Sequence, residues 1–203
     1  MKKVLSIIVA LVFVISVVAA CSSSGPSSDG KKPAEGASSG DTSIAKIGLG
    51  HITSIAKSTD LGVKDGQDVL PFGQVDTVIA AVAFDKDGKV VKVTIDNAQT
   101  KVNFDKNLKL TSDPRAEYKT KVELGDAYGM AKASSIKKEW YQQIAELEKW
   151  MAGKTVAEIK GMKTVQRDES HPAVPDVAEL KSLVTVSVQD YIAAVEEAYK
   201  NAK

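Results

Sequence analysis

The sequence predicts an α+β domain in which a small, antiparallel-rich sheet is covered by helices. Runs rich in β-branched residues over 75–84 and 89–95 flank an Asp-Gly turn at Asp87-Gly88, which is a strong hairpin signal. Apolar residues recur at helical spacing over 135–153 and again from Ser187 towards the C-terminus. The 203 residues, 43% of them hydrophobic, suit one globular domain with extensions.

The N-terminus carries a distinct signal. Two lysines precede an apolar run over residues 4–20, which ends at the only cysteine of the chain, Cys21. This segment resembles a bacterial lipoprotein signal peptide, with Val18-Val-Ala-Ala-Cys21 as its lipobox. The resemblance implies that residues 1–20 are removed and that Cys21 is acylated, so that a lipid holds the protein on the extracytoplasmic face of the membrane. An uncleaved membrane helix is the alternative, but the run is short for a span and contains two serines.

Residues 22–43 consist almost entirely of Ser, Gly, Pro, Lys and acidic residues, which cannot form a core. Together with Cys21 they are interpreted as a lipidated, disordered linker over 21–43, and a folded domain is expected over 44–203. As a flexible coil the linker has a reach of about 25 Å, enough to lift the domain clear of the lipid headgroups.

The first half of the domain is predicted to be mainly β. Residues 44–58 favour one or two strands, and 60–73 is predicted to be a loop because it contains four Gly and Pro residues. The run over 75–84 is apolar on both faces, which is typical of a central strand covered on both sides. The hairpin continues through 89–95, whereas the polar segment 96–121 predicts no definite element.

Residues 135–153 form the strongest helix pattern, with Ser135 as its predicted N-cap and Gly153 as its stop. Its apolar face contains Ile136, Trp140, Ile144, Leu147 and Met151. Trp140 and Trp150 could face a planar ligand, but such residues more often fill a core, and we expect them there.

A second, shorter helix follows. Thr155 and Glu158 have the spacing of a capping box, which predicts a helix ending near Gly161. Residues 162–167 are consistent with an edge strand, and the two prolines within 168–175 predict a loop.

The C-terminal helix is predicted to begin at Ser187, because Ser187 and Asp190 resemble a capping box. The first amides of a helix attract anions, and the Thr185 hydroxyl two residues upstream is suitably placed to help hold one there. The alternative is that Thr185 simply packs where a strand turns into the helix.

Composition excludes several functions. Basic and acidic side chains number 27 and 26, a balance that argues against nucleic acid as a partner. One cysteine excludes an internal disulfide, a Cys-x-x-Cys pair and an iron–sulfur cluster. His51 and His171 lack metal-ligand spacing, so no metal is expected. The Gly48-x-Gly50 pair lacks the other residues of a phosphate loop.

The hairpin over 78–95, followed far downstream by Ser182-Leu-Val-Thr185-Val-Ser187, resembles the FMN-binding domain of flavin-carrying lipoproteins and of the quinone reductase C subunit. In that family a Thr in a Ser/Thr-Gly-Ala-Thr motif receives FMN as a phosphoester. By this resemblance Thr185 stands for the acceptor and Ser182 for the first motif residue, whereas Glu179 stands for the preceding Asp.

Leu183 and Val184 replace the Gly and Ala of that motif. Their larger side chains hinder the close approach of a phosphate to the backbone, which Gly permits. A non-covalent FMN is therefore favoured over a covalent one. Its phosphate is expected beside Thr185 and Ser187, and its ring against Tyr128 or Met130.

The resemblance implies a protein that carries electrons or docks to a membrane redox complex, rather than an enzyme with turnover of its own. The alternative is a flavin-free binding module for a small molecule or a partner protein. An enzyme acting on surface polymers is a third hypothesis, but no catalytic pair supports it.

Overall fold

The computed structural model describes residues 43–203. The predicted signal peptide, the acylated Cys21 and the linker up to residue 42 lie outside the described residues, so these interpretations stay predictions. The described part is a mixed α/β domain with an antiparallel three-stranded sheet and four helices, which confirms the predicted α+β class.

The strands are β1 (Lys46–Ser54), β2 (Gly62–Lys64), β3 (Gln67–Val69), β4 (Phe72–Phe84), β5 (Val90–Asn103), β6 (Thr164–Val165) and β7 (Val174–Pro175). The helices are α1 (Lys121–Leu124), α2 (Trp140–Met151), α3 (Val156–Lys160) and α4 (Gln189–Asn201). Two 3₁₀ turns, Gly125–Tyr128 and Met130–Lys132, connect α1 towards α2.

The main sheet has the order β1-β4-β5, and both pairings are antiparallel. The hairpin predicted around the Asp-Gly turn is confirmed as β4 and β5, with Gly88 at a φ of 76° that glycine adopts without strain. Both strands are longer than predicted. β4 is central, as its apolar sequence indicated.

Among residues 43–203, the helices that cover this sheet pack on only one of its faces. Helix α4 packs on β1 and β4, and α2 packs along β5, burying Val78, Ala80, Val82 and Phe84 of β4. On the opposite face Ile47 is 61% exposed. Within the described residues, the expectation that β4 is covered on both faces is therefore wrong: Val75 and Ala81 on its other face are exposed to solvent, as isolated apolar residues at a protein surface often are.

Two glycines of β1 allow α4 to approach the sheet closely. A Cβ at Gly48 would lie 1.8 Å from the carbonyl oxygen of Ala198, and one at Gly50 would lie 2.0 Å from that of Ala194. The Gly-x-Gly pair therefore serves packing, since any larger residue would collide with helix backbone.

Several predicted boundaries are wrong. The segment 60–73 is not a plain loop, because β2 and β3 form a small hairpin within it. Helix α2 begins at Trp140 rather than near Ser135, since Lys137 adopts a positive φ of 54° that a right-handed helix cannot contain. Gly153 ends this segment as predicted, at a φ of 79°.

The C-terminal helix also begins later than predicted, at Gln189, and Val188 occupies its N-cap. Ser187 caps nothing there; its hydroxyl instead accepts a hydrogen bond from the Ala173 amide at 3.4 Å. No strand precedes this helix within 176–188, where the chain forms turns.

The short helix α3 is confirmed. Thr155 accepts a hydrogen bond from the amide of Glu158 at 3.3 Å, the Glu158 carboxylate accepts one from the amide of Thr155, and Gly161 follows the last turn. The edge strand is confirmed as the two-residue β6, which pairs with β7 at the end of the predicted loop. Within residues 43–203, none of the helices has the length and apolarity needed to cross a membrane.

The glycine packing is testable. We expect Gly50→Ala to lower the free energy of unfolding by about 1–3 kcal/mol, because the added methyl collides with α4 backbone. Gly73→Ala is the matched control in β4, where an added Cβ meets nothing within 4 Å. Urea unfolding measures both, and equal stability of the two variants would contradict the packing role of Gly50.

Candidate functional site

A cavity of about 640 Å³, the larger cleft, lies on the helix-covered face of the main sheet. Strand residues in cross-strand register line it in two rows, and the helices and loops close over it. One row consists of Ile52, Val78 and Asn97, and the other consists of Ser54, Asp76 and Gln99. The cleft is therefore a continuation of the core side of the sheet, where the lining becomes polar.

The rest of the lining comes from elements that the sequence separates widely. It consists of Lys57, Lys121, Met130, Trp140, the loop 169–172, Val186, Ser187 and the first turn of α4. Trp140 is 1% exposed and belongs to the core, as predicted, while it also lines the cleft. Trp150 is only half-buried, with Lys154 Nζ 4.5 Å from its ring centre.

Lys121 presents an ammonium group to the cleft between two aromatic rings. Its Nζ lies 5.1 Å from the ring centre of Tyr128 and 5.3 Å from that of Trp140. Among residues 43–203 it forms no ion pair with a carboxylate. Burial, and secondarily the charge of Lys57, lower the pKa of Lys121 to about 8, so it is still largely protonated at neutral pH.

Asn97 contributes a buried acceptor that lacks a donor. The residue is 5% exposed, and its Oδ1 has no hydrogen-bond partner within the described part of the chain. An unpaired buried carbonyl costs about 1–3 kcal/mol, so native structures rarely leave one without a reason. Because Asn97 lines the cleft, a bound molecule can supply the missing donor.

Asp76 and Tyr191 have fixed protonation states in this cleft. Burial raises the pKa of Asp76, but hydrogen bonds from Gln74 and Gln99 and the nearby Lys57 outweigh it, and the pKa falls below its ordinary value. Burial raises the pKa of Tyr191, whose hydroxyl accepts a hydrogen bond from Trp140 Nε1 at 2.9 Å. At neutral pH Asp76 is therefore an anion and Tyr191 a neutral phenol.

A smaller cavity of about 280 Å³ adjoins Thr185. The amide and the hydroxyl of Thr185 donate to Oε1 of Gln143 at 2.9 and 3.1 Å, and Gln143 is fully buried. Arg167 Nη1 donates to the Thr185 carbonyl at 2.9 Å. His171 lines the same cavity, with Nδ1 2.6 Å from Asp168 Oδ1. This arrangement places a guanidinium and a hydroxyl around one small space.

The two cavities have Met130, His171 and Val186 in common. The backbone at Met130 is held by Glu139, whose carboxylate accepts from the amides of Met130 and Ala131 at 2.8 and 3.0 Å. One extended molecule can therefore contact both spaces.

The structure brings together three of the five predicted cofactor residues. Thr185 and Met130 line the smaller cavity, and Met130 and Ser187 line the larger one. Ser182 lies in an exposed turn and lines neither. Tyr128 is half-buried beside Lys121 and also lines neither, so its predicted contact with a ring is not direct in this arrangement.

The predicted anion site at the C-terminal helix is also altered. The helix begins four residues after Thr185, and its first turn contains Asp190, whose negative charge already interacts favourably with the helix dipole. Arg167 supplies a positive charge beside Thr185 instead, and its Nε also donates to Asp168 Oδ2 at 3.1 Å.

Sequence reasoning missed Lys121, Asn97 and Gln143. The spacing of Thr120 and Glu123 is a capping box, confirmed by both of its hydrogen bonds, and could have placed Lys121 at a helix start. Gln143 interrupts an otherwise apolar helix face, and Asn97 is a polar residue that continues the alternate buried positions of Val93 and Ile95 along its strand. Polar residues at core positions are signals of a buried polar site.

Within 43–203, no group of three or more His, Cys, Asp or Glu side chains is arranged to hold a metal ion.

The chain has a distant relative among curated proteins. No family model matches the chain, and no solved structure is similar to it. A chlorophenol reductase of Desulfitobacterium hafniense is 30% identical over 166 residues, which cover 63% of this chain and 50% of that enzyme. The chain thus spans about half the length of this curated relative.

Burial of Lys121 predicts a pH dependence of stability. Because its pKa is lower in the folded state than the ordinary 10.5, the unfolded chain binds more protons between about pH 8 and 10.5. Stability should therefore rise with pH across this window. We expect Lys121→Met to be more stable than the wild type at pH 7, by up to roughly 3 kcal/mol, and this difference to shrink by pH 9.5.

The control is Lys106→Met, which removes an exposed lysine. Chemical denaturation at pH 7 and 9.5 gives the four differences in unfolding free energy. If both substitutions change the free energy of unfolding equally at both pH values, burial of the charged Lys121 side chain does not destabilise the fold.

Proposed function

We propose that this protein is a lipid-anchored, extracytoplasmic electron carrier with an FMN-binding-type domain, which docks to a membrane redox complex. The observation that carries the proposal is the pair of adjoining cavities. One has the volume for a ring system, and the other is lined by Thr185 and by Arg167, whose guanidinium can meet a phosphate.

The larger cleft suits a flavin ring. Its volume falls within the range of about 300–1,000 Å³ that is typical of ligand pockets. Val78 and Met130 supply apolar lining, and Lys121 and Asn97 supply a donor and an unpaired acceptor. When bound, a flavin would supply one- and two-electron transfer, while these residues orient the ring and restrict its contact with water.

The smaller cavity suits the phosphate. The Arg167 guanidinium can form charge-assisted hydrogen bonds with an anion, and His171 lies beside it. The Thr185 hydroxyl already donates to the buried Gln143, and Val184, in place of the motif's Ala, is fully buried in the core. Esterification would remove that hydroxyl proton, so these contacts favour a phosphate held without a covalent bond.

The relative supports a redox role for this chain. That protein is named as a reductase, and reduction requires an electron donor. Because the match covers only about half of the relative's length, it supports a redox role and not a particular substrate. An electron carrier without turnover of its own fits both observations.

A flavin-free binding module on the same scaffold is the second candidate function. The presence of Leu183 and Val184 at the positions of the motif's Gly and Ala favours it, since this departure lies next to the acceptor position. The two candidates differ in one measurable property, the binding of FMN.

We expect the mature protein, purified in detergent, to bind FMN reversibly and to quench its fluorescence. Arg167→Met should weaken FMN about tenfold, because one charge-assisted contact to the phosphate is lost, and should leave riboflavin binding unchanged. Arg115→Met, which removes an exposed guanidinium, is the matched control and should bind FMN normally.

Covalent attachment is tested separately. After co-expression with a flavin transferase, we expect no fluorescent protein band on a denaturing gel. A fluorescent band that disappears in Thr185→Ala would contradict non-covalent binding. Absence of FMN binding by either route would favour the flavin-free module.

Anchoring depends on the cysteine at the predicted lipobox. We expect Cys21→Ser to shift the protein from the membrane to the soluble fraction, or to leave the signal peptide uncleaved, because the acyl acceptor is lost. Membrane fractionation and intact mass measure this. A fully processed protein that stays with the membrane would refute the lipoprotein interpretation.

A further inference from the structure

The larger cleft contains a donor and an acceptor that the described fold itself does not use. Asn97 Oδ1 is buried without a partner, and the Lys121 ammonium faces aromatic rings rather than a carboxylate. An ammonium can only donate hydrogen bonds, and a carboxamide oxygen can only accept them. The complementary ligand therefore has an acceptor and a donor of its own.

A single carboxylate fixes the relative position of these two residues. Asp96 Oδ1 accepts from the amide of Asn97 at 2.7 Å and from the amide of Val122 at 3.2 Å. Since Val122 directly follows Lys121, this contact joins the start of α1 to β5. The rings of Tyr128 and Trp140 then limit where the ammonium can lie.

The charges around the cleft indicate a neutral ligand. Lys57 and Lys121 are opposed by Asp76, Glu169 and Asp190, all of which line the same space. An anion would meet three carboxylates, and a cation would meet two ammonium groups, so a polar but uncharged group is preferred.

From these observations we infer that Lys121 and Asn97 form the recognition end of the cleft and select a planar, uncharged ring whose edge carries a carbonyl beside an N–H group. Lys121 donates to the carbonyl and Asn97 Oδ1 accepts from the N–H. This inference deepens the proposed function and rests on its cleft, because the pyrimidine end of a flavin has such an edge.

Two probes without phosphate separate this recognition from the phosphate site. Lumiflavin has the carbonyl and N–H edge, whereas 3-methyllumiflavin replaces the N–H hydrogen with a methyl group. We expect the wild-type protein to bind lumiflavin and to bind the methylated probe at least tenfold more weakly, since a buried acceptor then stays unpaired.

In Asn97→Leu the preference between the probes should fall to within about twofold, because the acceptor is gone. This variant should fold, since it removes an unpaired buried carbonyl, and thermal unfolding verifies it. Asn107→Leu, at an exposed turn, is the control and should keep the preference. Lys121→Met should weaken lumiflavin binding about tenfold. The wild type should bind lumiflavin more weakly above pH 8, where Lys121 loses its proton, and Lys121→Met should not show this pH dependence.

Equal binding of both probes by the wild type, a preference that survives in Asn97→Leu, or no binding of lumiflavin would each overturn the inference. These outcomes are distinct from those of the proposed function. If FMN binding depends on Arg167 but the two probes bind equally, the proposed function is supported and the inference about Lys121 and Asn97 is wrong. If the protein prefers lumiflavin to the methylated probe but binds FMN no more tightly than lumiflavin, the inference about Lys121 and Asn97 is supported and the proposed phosphate site is wrong.

Discussion

The close contact between β1 and α4 determines where most other elements can lie. Gly48 and Gly50 let the helix backbone touch the strand, so α4 covers β1 and β4 with little space between. The chain end then pairs with the outer edge of the sheet: Ile47 and Lys203 exchange backbone hydrogen bonds at 3.0 and 3.1 Å. Because α4 is fixed in this way, Tyr191 in its first turns is fixed at the cleft.

The opposite edge of the sheet is closed in a similar manner. The segment after α2 pairs with Val90, and Glu148 of α2 accepts a hydrogen bond from the Ile95 amide at 2.6 Å. Burial raises the pKa of Glu148, although the Ile95 amide partly offsets that effect. Satisfied strand edges reduce the risk of edge-to-edge aggregation, which suits a domain that carries exposed apolar residues on one sheet face.

The buried amide of Gln143 organises the two cavities. Its oxygen holds Thr185, and its nitrogen donates to the Lys138 carbonyl at 3.1 Å and contacts the sulfur of Met130 at 3.5 Å. A network with satisfied members is rigid, so the lining on which both cavities depend is fixed before any ligand arrives. Asn97 differs because its oxygen is left unpaired, and that difference gives the cleft its chemical preference.

Local sequence signals determined the parts of this protein that depend on neighbouring residues. The hairpin of β4 and β5, the capped helix α3 and the burial of Trp140 follow from turn chemistry, capping spacing and apolar periodicity, which act over a few residues. The start of α2 was missed because the positive φ of Lys137 breaks the helix pattern without a sequence signal. Within residues 43–203 the helices cover only one face of the sheet, and that depends on how distant segments pack.

The candidate site was decided by tertiary structure. The sequence pointed to Thr185, Met130 and Ser187, but it could not place Arg167 beside a carbonyl 18 residues away or Gln143 beside an amide 42 residues away. Lys121 and Asn97 meet in one cleft only because Asp96 joins β5 to α1. Contacts between distant segments arise from packing of the whole chain, and no short-range pattern encodes them.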